Sequence, residues 1–579
     1  MGDWHNTSSV SVESLQVDDL PFRSRRSPVL SRHASVATSQ PLATSIGLDL
    51  LRKGANAADA AVAIAATLAV VEPCSTGLGG DMFCLFYKAD QKKVYALNGS
   101  GCSPKNLTLD KVLQDCPNGT NDFKFSPHSV TVPGAARGWE DTILKFGSGK
   151  FSFAEIVEPA AKLAEEGFPV SPITSHHWAS GKSQLDQWKS KSDDYSPLTN
   201  SDGNTPTAGE VFSNPDMAAV LRELGTKGAT EGFYEGKPGK AIVEAVQNHG
   251  GLLTTDDLKQ HHSLFPEAIS VQYRDTRLWQ VPPNGQGIAA LLALSGLASL
   301  EEDGVLLEPL TPETVGSTAG AYHAQVEMMR LGFADARKYV TCPEVCNDET
   351  VQWLLDKERI SSRAKEWFDP TKATCHDVAA LPSSDTVSFQ VVDPQGNAIS
   401  FVNSNFNGFG TGICPKGCGF SLQNRGFNFS LEPHHHHHAN VLAGGKRPYH
   451  TIIPGMLTYA ESGDLYATLS NMGGFMQPQG HLQLTINLVA GKMDPQEAID
   501  TPRFCIPQGT CDGTIQFETG LSDEIIEQLQ QHMGHKLIPR VAGHARSTFG
   551  RAQIIQKDPV TGVLWAGSDG RGDGCAMGF

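Results

Sequence analysis

About two thirds of the way along the chain the sequence changes character within a few residues. Lys372 to Ser384 contains Ala379, Ala380, Pro382 and two serines, and reads as an exposed linker. Immediately after Asp385 comes Thr386-Val387-Ser388-Phe389-Gln390-Val391-Val392-Asp393, an alternating, β-rich run. Pro394-Gln395-Gly396-Asn397 is a turn, and Ala398 to Asn403 reads as the returning strand. Linker, strand and hairpin in that order predict the start of a new, strand-led unit.

The chain before this break is organised differently. Residues 1 to 35 are polar, lack periodicity and read as a flexible arm. Ile46, Leu50 and Leu51 precede a small-residue run, Gly54-Ala55-Asn56-Ala57-Ala58-Asp59-Ala60-Ala61, and Ala57 to Val71 reads as a buried helix. Gly77, Gly79 and Gly80 mark a tight turn into a strand, Met82 to Phe86. From 150 to 380 the pattern is mostly helical, as in Tyr322 to Arg330, where apolar positions recur at three- and four-residue spacing. Gly285-Gln286-Gly287 lacks the third glycine and preceding strand of a dinucleotide fingerprint, and reads as a helix start.

Composition excludes some classes of partner. A chain of 579 residues with 39% hydrophobic and 19% charged residues has the make-up of a globular protein. Its net charge of −17 argues against nucleic acid or an anionic membrane, because both require a basic face. No run reaches the ~18 apolar residues of a membrane span. The polar start has no h-region of a secretory signal, so a cytoplasmic location is expected, with secretion by another route as the alternative. Cys342/Cys346 and Cys414/Cys418 have no CxxC partner, and a structural zinc is not expected. The run His434 to His438 reads as a surface loop rather than a metal site, so neither metal nor cofactor is expected.

A threonine that begins a chain after cleavage carries its own nucleophile and base. Its hydroxyl attacks, and its α-amino group, with an unperturbed pKa of about 7.7–8.0, takes the proton. Before cleavage, the same hydroxyl of Thr386 can attack the carbonyl of Asp385. The run from Asp385 through Ser400 to Phe409-Gly410-Thr411-Gly412 resembles the start of the small subunit of the γ-glutamyltranspeptidase family. Ser39-Gln40-Pro41-Leu42-Ala43, Gly54 to Ala61, Glu72 through Asp81, Val132-Pro133-Gly134, Ala334-Asp335-Ala336-Arg337 and Ser568-Asp569 with Arg571 match the same family in order. The resemblance implies an α+β fold, the αββα four-layer sandwich of N-terminal-nucleophile hydrolases. It also implies autocleavage between Asp385 and Thr386 into a large subunit, 36–385, and a small one, 386–579. Thr386 falls on the nucleophile, Ser404 on a supporting hydroxyl, and Gly473-Gly474 on the pair whose N–H groups form the oxyanion hole.

The positions that would hold a γ-glutamyl group depart from the family. The carboxylate-binding arginine falls at about Ser100 and a substrate-holding asparagine at Phe406. The amino-binding aspartate falls at Phe427 or Asn428, and a pair of serines at His450-Thr451. The pattern is nearer the divergent glutathione hydrolase-like branch. It implies a γ-glutamyl substrate such as glutathione, with another small amide as the alternative. Arg571-Gly572-Asp573 is an integrin-type tripeptide inside a family motif, and a secreted effector that binds cell surfaces is a third, less favoured reading.

Overall fold

The computed structural model describes residues 26–188, 196–374, 386–432, 439–507 and 513–579. Asp385, most of the expected linker and the His434 to His438 run lie outside them. The strands of the two large sheets are β1 (Val29–Ser31), β2 (Ser35–Thr38), β3 (Asp81–Lys88), β4 (Lys93–Asn98), β5 (Ile269–Tyr273), β6 (Thr276–Gln280), β7 (Val387–Val392), β8 (Ala398–Ser404), β9 (Gly455–Tyr459), β10 (Leu465–Asn471), β11 (Ala552–Lys557), β12 (Leu564–Ser568) and β13 (Cys575–Gly578). One sheet runs β1-β12-β11-β10-β9-β6-β5 and the other β13-β2-β7-β8-β3-β4. Every pairing in both is antiparallel.

Helices cover the outer face of each sheet. On the six-stranded side lie α1 (Pro41–Arg52), α2 (Ala57–Val71) and α3 (Ala135–Phe146). On the seven-stranded side lie α4 (Gly287–Glu302), α5 (Ala319–Tyr339) and α6 (Met476–Val489). Three apolar layers follow: helices against β2, β3, β7 and β8, helices against the seven-stranded sheet, and a middle layer between the sheets that includes Phe83, Leu85, Val402, Met456 and Ile555. This is the expected αββα sandwich. Strand alternation sorts the layers, since Phe389 and Phe401 face the helices while Val402 packs between the sheets. Gln390 also points between them, donating to Ser470 Oγ and accepting from Thr468 Oγ1.

The hairpin expected after Asp385 is present, with Ala398 opposite Val392. Its turn is held by Asp393, which accepts the N–H groups of Gln395 and Asn397 at 2.9 Å and that of Ala57 at 3.0 Å. The last bond ties the hairpin to the start of α2. That helix is buried along its whole length, closed at its start by a capping box between Asn56 and Asp59. Small side chains suit a helix packed on all sides.

The middle of the chain is mostly helical and also supplies β5 and β6, which form the edge of the seven-stranded sheet. Structure also begins earlier than an arm of 35 residues allows, because Val29–Ser31 pairs with β12 and Ser35 already belongs to β2.

Candidate active site

Strand register builds the site. Val387 pairs with Asn403, which brings Thr386 opposite Ser404, and Ser404 pairs in turn with Asp81. Three polar side chains distant in sequence thus stand in a row at one end of the six-stranded sheet, all buried. Thr386 Oγ1 donates to Ser404 Oγ at 3.1 Å, and Ser404 Oγ also accepts the N–H of Phe406 at 2.9 Å and Arg425 Nη2 at 3.2 Å. The turn before Asp81 must approach closely: a Cβ on Gly80 would lie 2.3 Å from the carbonyl oxygen of Ser404.

Further hydrogen bonds lead from this row to the glycine pair. Arg425 Nη1 donates to Thr451 Oγ1 at 2.6 Å. Gln286 Nε2 donates to the carbonyls of Thr451 at 2.7 Å and Gly474 at 2.8 Å. Gly473 and Gly474 hold φ of 118° and 58°, and their carbonyls accept from Met476 and Gln477 as α6 begins. Among the described residues neither glycine N–H has an acceptor. Two adjacent unpaired amides can stabilise an oxyanion.

The expected substrate positions divide. Thr451 belongs to the cluster through Arg425. Phe406 is buried with φ of 76°, and its ring lies 4.5 Å from the Arg425 guanidinium carbon. His450 stacks on Phe83 and contacts Asp81 Oδ2 through Nε2 at 2.9 Å, while its Nδ1 accepts the N–H of Ile452 at 3.4 Å. That pattern selects the neutral Nε2–H tautomer, and burial pushes the imidazole well below its ordinary range in agreement. Ser100 is committed elsewhere: its hydroxyl donates to Asn98 Oδ1 at 2.7 Å and its carbonyl accepts from Arg447 Nη1. Asn428 donates to the Tyr449 carbonyl at 3.0 Å, and its buried Oδ1 has no hydrogen-bond partner among the described residues.

Arg425 and Asp81 were not singled out from sequence. Asp81 Oδ1 accepts from the N–H groups of Gly101 at 3.2 Å and Gly134 at 3.0 Å and from Gln423 Nε2 at 3.1 Å. Burial raises its carboxyl to about 7, with the Arg425 charge opposing the rise. Burial likewise works against the charge of Arg425, and Asp81 partly restores it. An arginine 21 residues after a supporting hydroxyl carries no local signal of its role.

Other motifs have internal uses. Arg571 is buried, paired with Glu518 and, at 3.0 Å, with Asp569, and Asp573 accepts the N–H groups of Ile173 at 3.0 Å and Thr174 at 2.8 Å. Cys342, Cys346 and Cys418 are free thiols. No helix among the described residues is long and apolar enough to cross a membrane.

Comparison with known proteins agrees with this geometry. Residues 43–579 match the family model described as gamma-glutamyltranspeptidase. A Bacillus subtilis (strain 168) protein named glutathione hydrolase-like YwrD proenzyme is 34% identical over 95% of this chain and 99% of its own. The oxamate amidohydrolase proenzyme of Klebsiella pneumoniae is 28% identical over 95% and 99%. The crystal structure of cephalosporin acylase from Bacillus halodurans superposes with a TM-score of 0.84 at 37% identity, covering 97% of this chain and 98% of that one. The chain therefore belongs to the γ-glutamyltranspeptidase family and is a self-processing N-terminal-nucleophile amidohydrolase.

Proposed function

We propose that Thr386 is the nucleophile and that the enzyme hydrolyses γ-glutamyl and related small amides through an acyl-enzyme on its hydroxyl. The observation that carries this reading is the 3.1 Å bond from Thr386 Oγ1 to Ser404 Oγ at the start of β7. Once residue 386 is N-terminal, its α-amino group takes the Oγ proton as oxygen attacks the substrate carbonyl. The N–H groups of Gly473 and Gly474 receive the oxyanion. Collapse breaks the C–N bond, the amine leaves with the proton, and water then opens the ester to release the acid and regenerate the hydroxyl. An acceptor amine in place of water gives transfer.

A smaller amide is the second reading. It is favoured by Ser100, whose hydroxyl is tied to Asn98 where a γ-glutamyl carboxylate would need a cation, and by relatives named for oxamate and cephalosporin substrates. Adhesion through Arg571-Gly572-Asp573 has no such support, because both charged side chains are engaged internally.

The test begins with the purified protein on a denaturing gel. Cleavage before residue 386 of a 579-residue chain leaves fragments of 385 and 194 residues, the smaller beginning with threonine. Thr386→Ala should remain one 62.1 kDa chain without amidase activity. An active, uncut Thr386→Ala protein sinks the assignment.

A further inference from the structure

On α5, which covers the outer face of the seven-stranded sheet, His323 and Glu327 stand one helical turn apart and share a face. His535, 212 residues beyond His323, closes on them, with its Nε2 2.7 Å from His323 Nδ1. All three side chains are buried. Among the described residues, they alone bring three potential ligand atoms, two imidazole nitrogens and a carboxylate oxygen, within 4.8 Å of one another. The bonding around them is that of ligands held ready. His323 Nε2 lies 2.8 Å from the Asp369 carbonyl, which only accepts, so this nitrogen carries the proton and Nδ1 of the neutral ring is a lone pair. Metal-bound histidines characteristically donate their other N–H to a backbone carbonyl in this way. Burial holds both imidazoles below their ordinary range, which keeps them neutral. His535 Nε2 therefore donates to His323 Nδ1, and the buried Nδ1 of His535 has no partner among the described residues. Moving that one proton from Nε2 to Nδ1 of His535 leaves two lone pairs facing one point. Glu327 is oriented by Arg330 Nη1 at 2.8 Å, by the Thr374 N–H at 3.3 Å and by the Thr374 hydroxyl. Three of the roughly four acceptor positions of a carboxylate are then used, and one remains.

We propose that His323 Nδ1, His535 Nε2 and the Glu327 carboxylate bind one divalent transition-metal ion of the zinc class. Two imidazoles and one carboxylate favour zinc, cobalt or nickel over magnesium and calcium, which take oxygen ligands. Bonds of about 2.0–2.1 Å at a tetrahedral ion set ligand nitrogens roughly 3.3 Å apart, so the two rings separate by about half an ångström on binding. The Arg330 charge opposes the cation and keeps the affinity below that of a site with a free carboxylate. All three ligands are buried away from Thr386, so the ion is structural and enters as the chain folds. His323 and Glu327 precede residue 386 and His535 follows it, so the ion ties the two fragments together. The same residues hold the segment from Asp369 to Thr374, which leads towards the cleavage position.

The experiment uses the full chain with His434 to His438 replaced by serine, because a histidine run chelates metal by itself. After treatment with a chelator and dialysis, the protein is titrated with Zn²⁺ and separately with Co²⁺. One equivalent of either should be retained through gel filtration, and the visible d–d absorption of bound Co²⁺ should vanish when Zn²⁺ is added. His323→Ala and His535→Ala should each weaken binding by at least ~100-fold, the upper range for loss of a mere outer partner. Should these variants fail to fold, zinc K-edge X-ray absorption with the three ligands unchanged carries the same question, and two imidazoles are expected in the metal's shell. Zinc should also raise the urea concentration at which the two fragments separate, with no such rise in His535→Ala. No retained metal, retention unchanged in His535→Ala, or a spectrum without imidazole scattering overturns the site. Retention without a shift in fragment separation overturns the tie. The uncut Thr386→Ala chain should bind the same single equivalent, so the metal result stands or falls apart from the nucleophile assignment.

Discussion

Ser404 is where three donors converge: the Thr386 hydroxyl, the Phe406 N–H and Arg425 Nη2. Phe406 is held at a left-handed φ, a strain of about 1–2 kcal/mol that persists only when the surroundings impose it. Ser404→Ala removes the acceptor for all three and frees the Thr386 rotamer. Steady-state kinetics should show kcat reduced by ~10–100-fold with a smaller change in KM, since orientation of the nucleophile is what is lost. An unchanged kcat would remove Ser404 from the machinery. Asp81 supplies a pH dependence. With its carboxyl raised to about 7, the folded state holds a proton that an unfolded chain releases near its ordinary value of about 3.9. The stabilisation is present at low pH and is lost as pH rises through about 7. From pH 5 to pH 8 the unfolding free energy measured by denaturant titration should therefore fall more for the wild type than for Asp81→Asn, by a difference on the order of a few kcal/mol at most.

Among the elements, β8 carries the site because it pairs on both sides, with β7 and with β3. The glycine turn before β3 sets how near β3 comes. Gly80→Ala would place a Cβ 2.3 Å from the Ser404 carbonyl oxygen and 2.6 Å from Asn405 Oδ1, so the end of β8 must move. Activity should drop at least ~10-fold, because small displacements of a nucleophile are costly. Asn56→Ala offers the contrast. It removes the cap of α2 and a 2.7 Å bond to the Phe146 carbonyl, lowering stability by about 1 kcal/mol without displacing Ser404. If denaturation and kinetics gave the two substitutions the same profile, β8 placement would not be what Gly80 protects.

At the scale of the molecule, the segments before and after residue 386 do not form separate layers. The six-stranded sheet alternates them, with β13, β7 and β8 from the later segment and β2, β3 and β4 from the earlier one. A buried ion pair, Glu72 to Arg551 at 2.6 Å, and the bond from Trp139 Nε1 to Asn403 Oδ1 at 2.9 Å also cross between them. Cutting one peptide bond leaves these contacts in place. The two fragments should co-elute as one species in size-exclusion chromatography and separate only in denaturant. Dissociation in native buffer would contradict the interleaved sheets.

Much of this fold is legible locally. The hairpin from Val387 to Ser404 announces itself by alternation and its Pro-Gln-Gly-Asn turn, and α2 by a capped run of small residues. Both patterns are short-range, and antiparallel neighbours joined by a tight turn need no distant information. β5 and β6 were hidden because five-residue strands between helices carry little periodicity, and the β9 partner of β6 lies about 180 residues further along the chain. Within the site, sequence by itself determined the nucleophile candidate, its supporting hydroxyl and the glycine pair, through ordered motifs. It did not determine that Asp81 stands across from Ser404, that His450 is spent on Asp81, or that a buried arginine from position 425 joins them. Those facts depend on register between strands more than 300 residues apart and on burial, neither of which a local pattern carries. The class of reaction is legible along the chain, and the surroundings of its candidate nucleophile are set only where the chain folds back on itself.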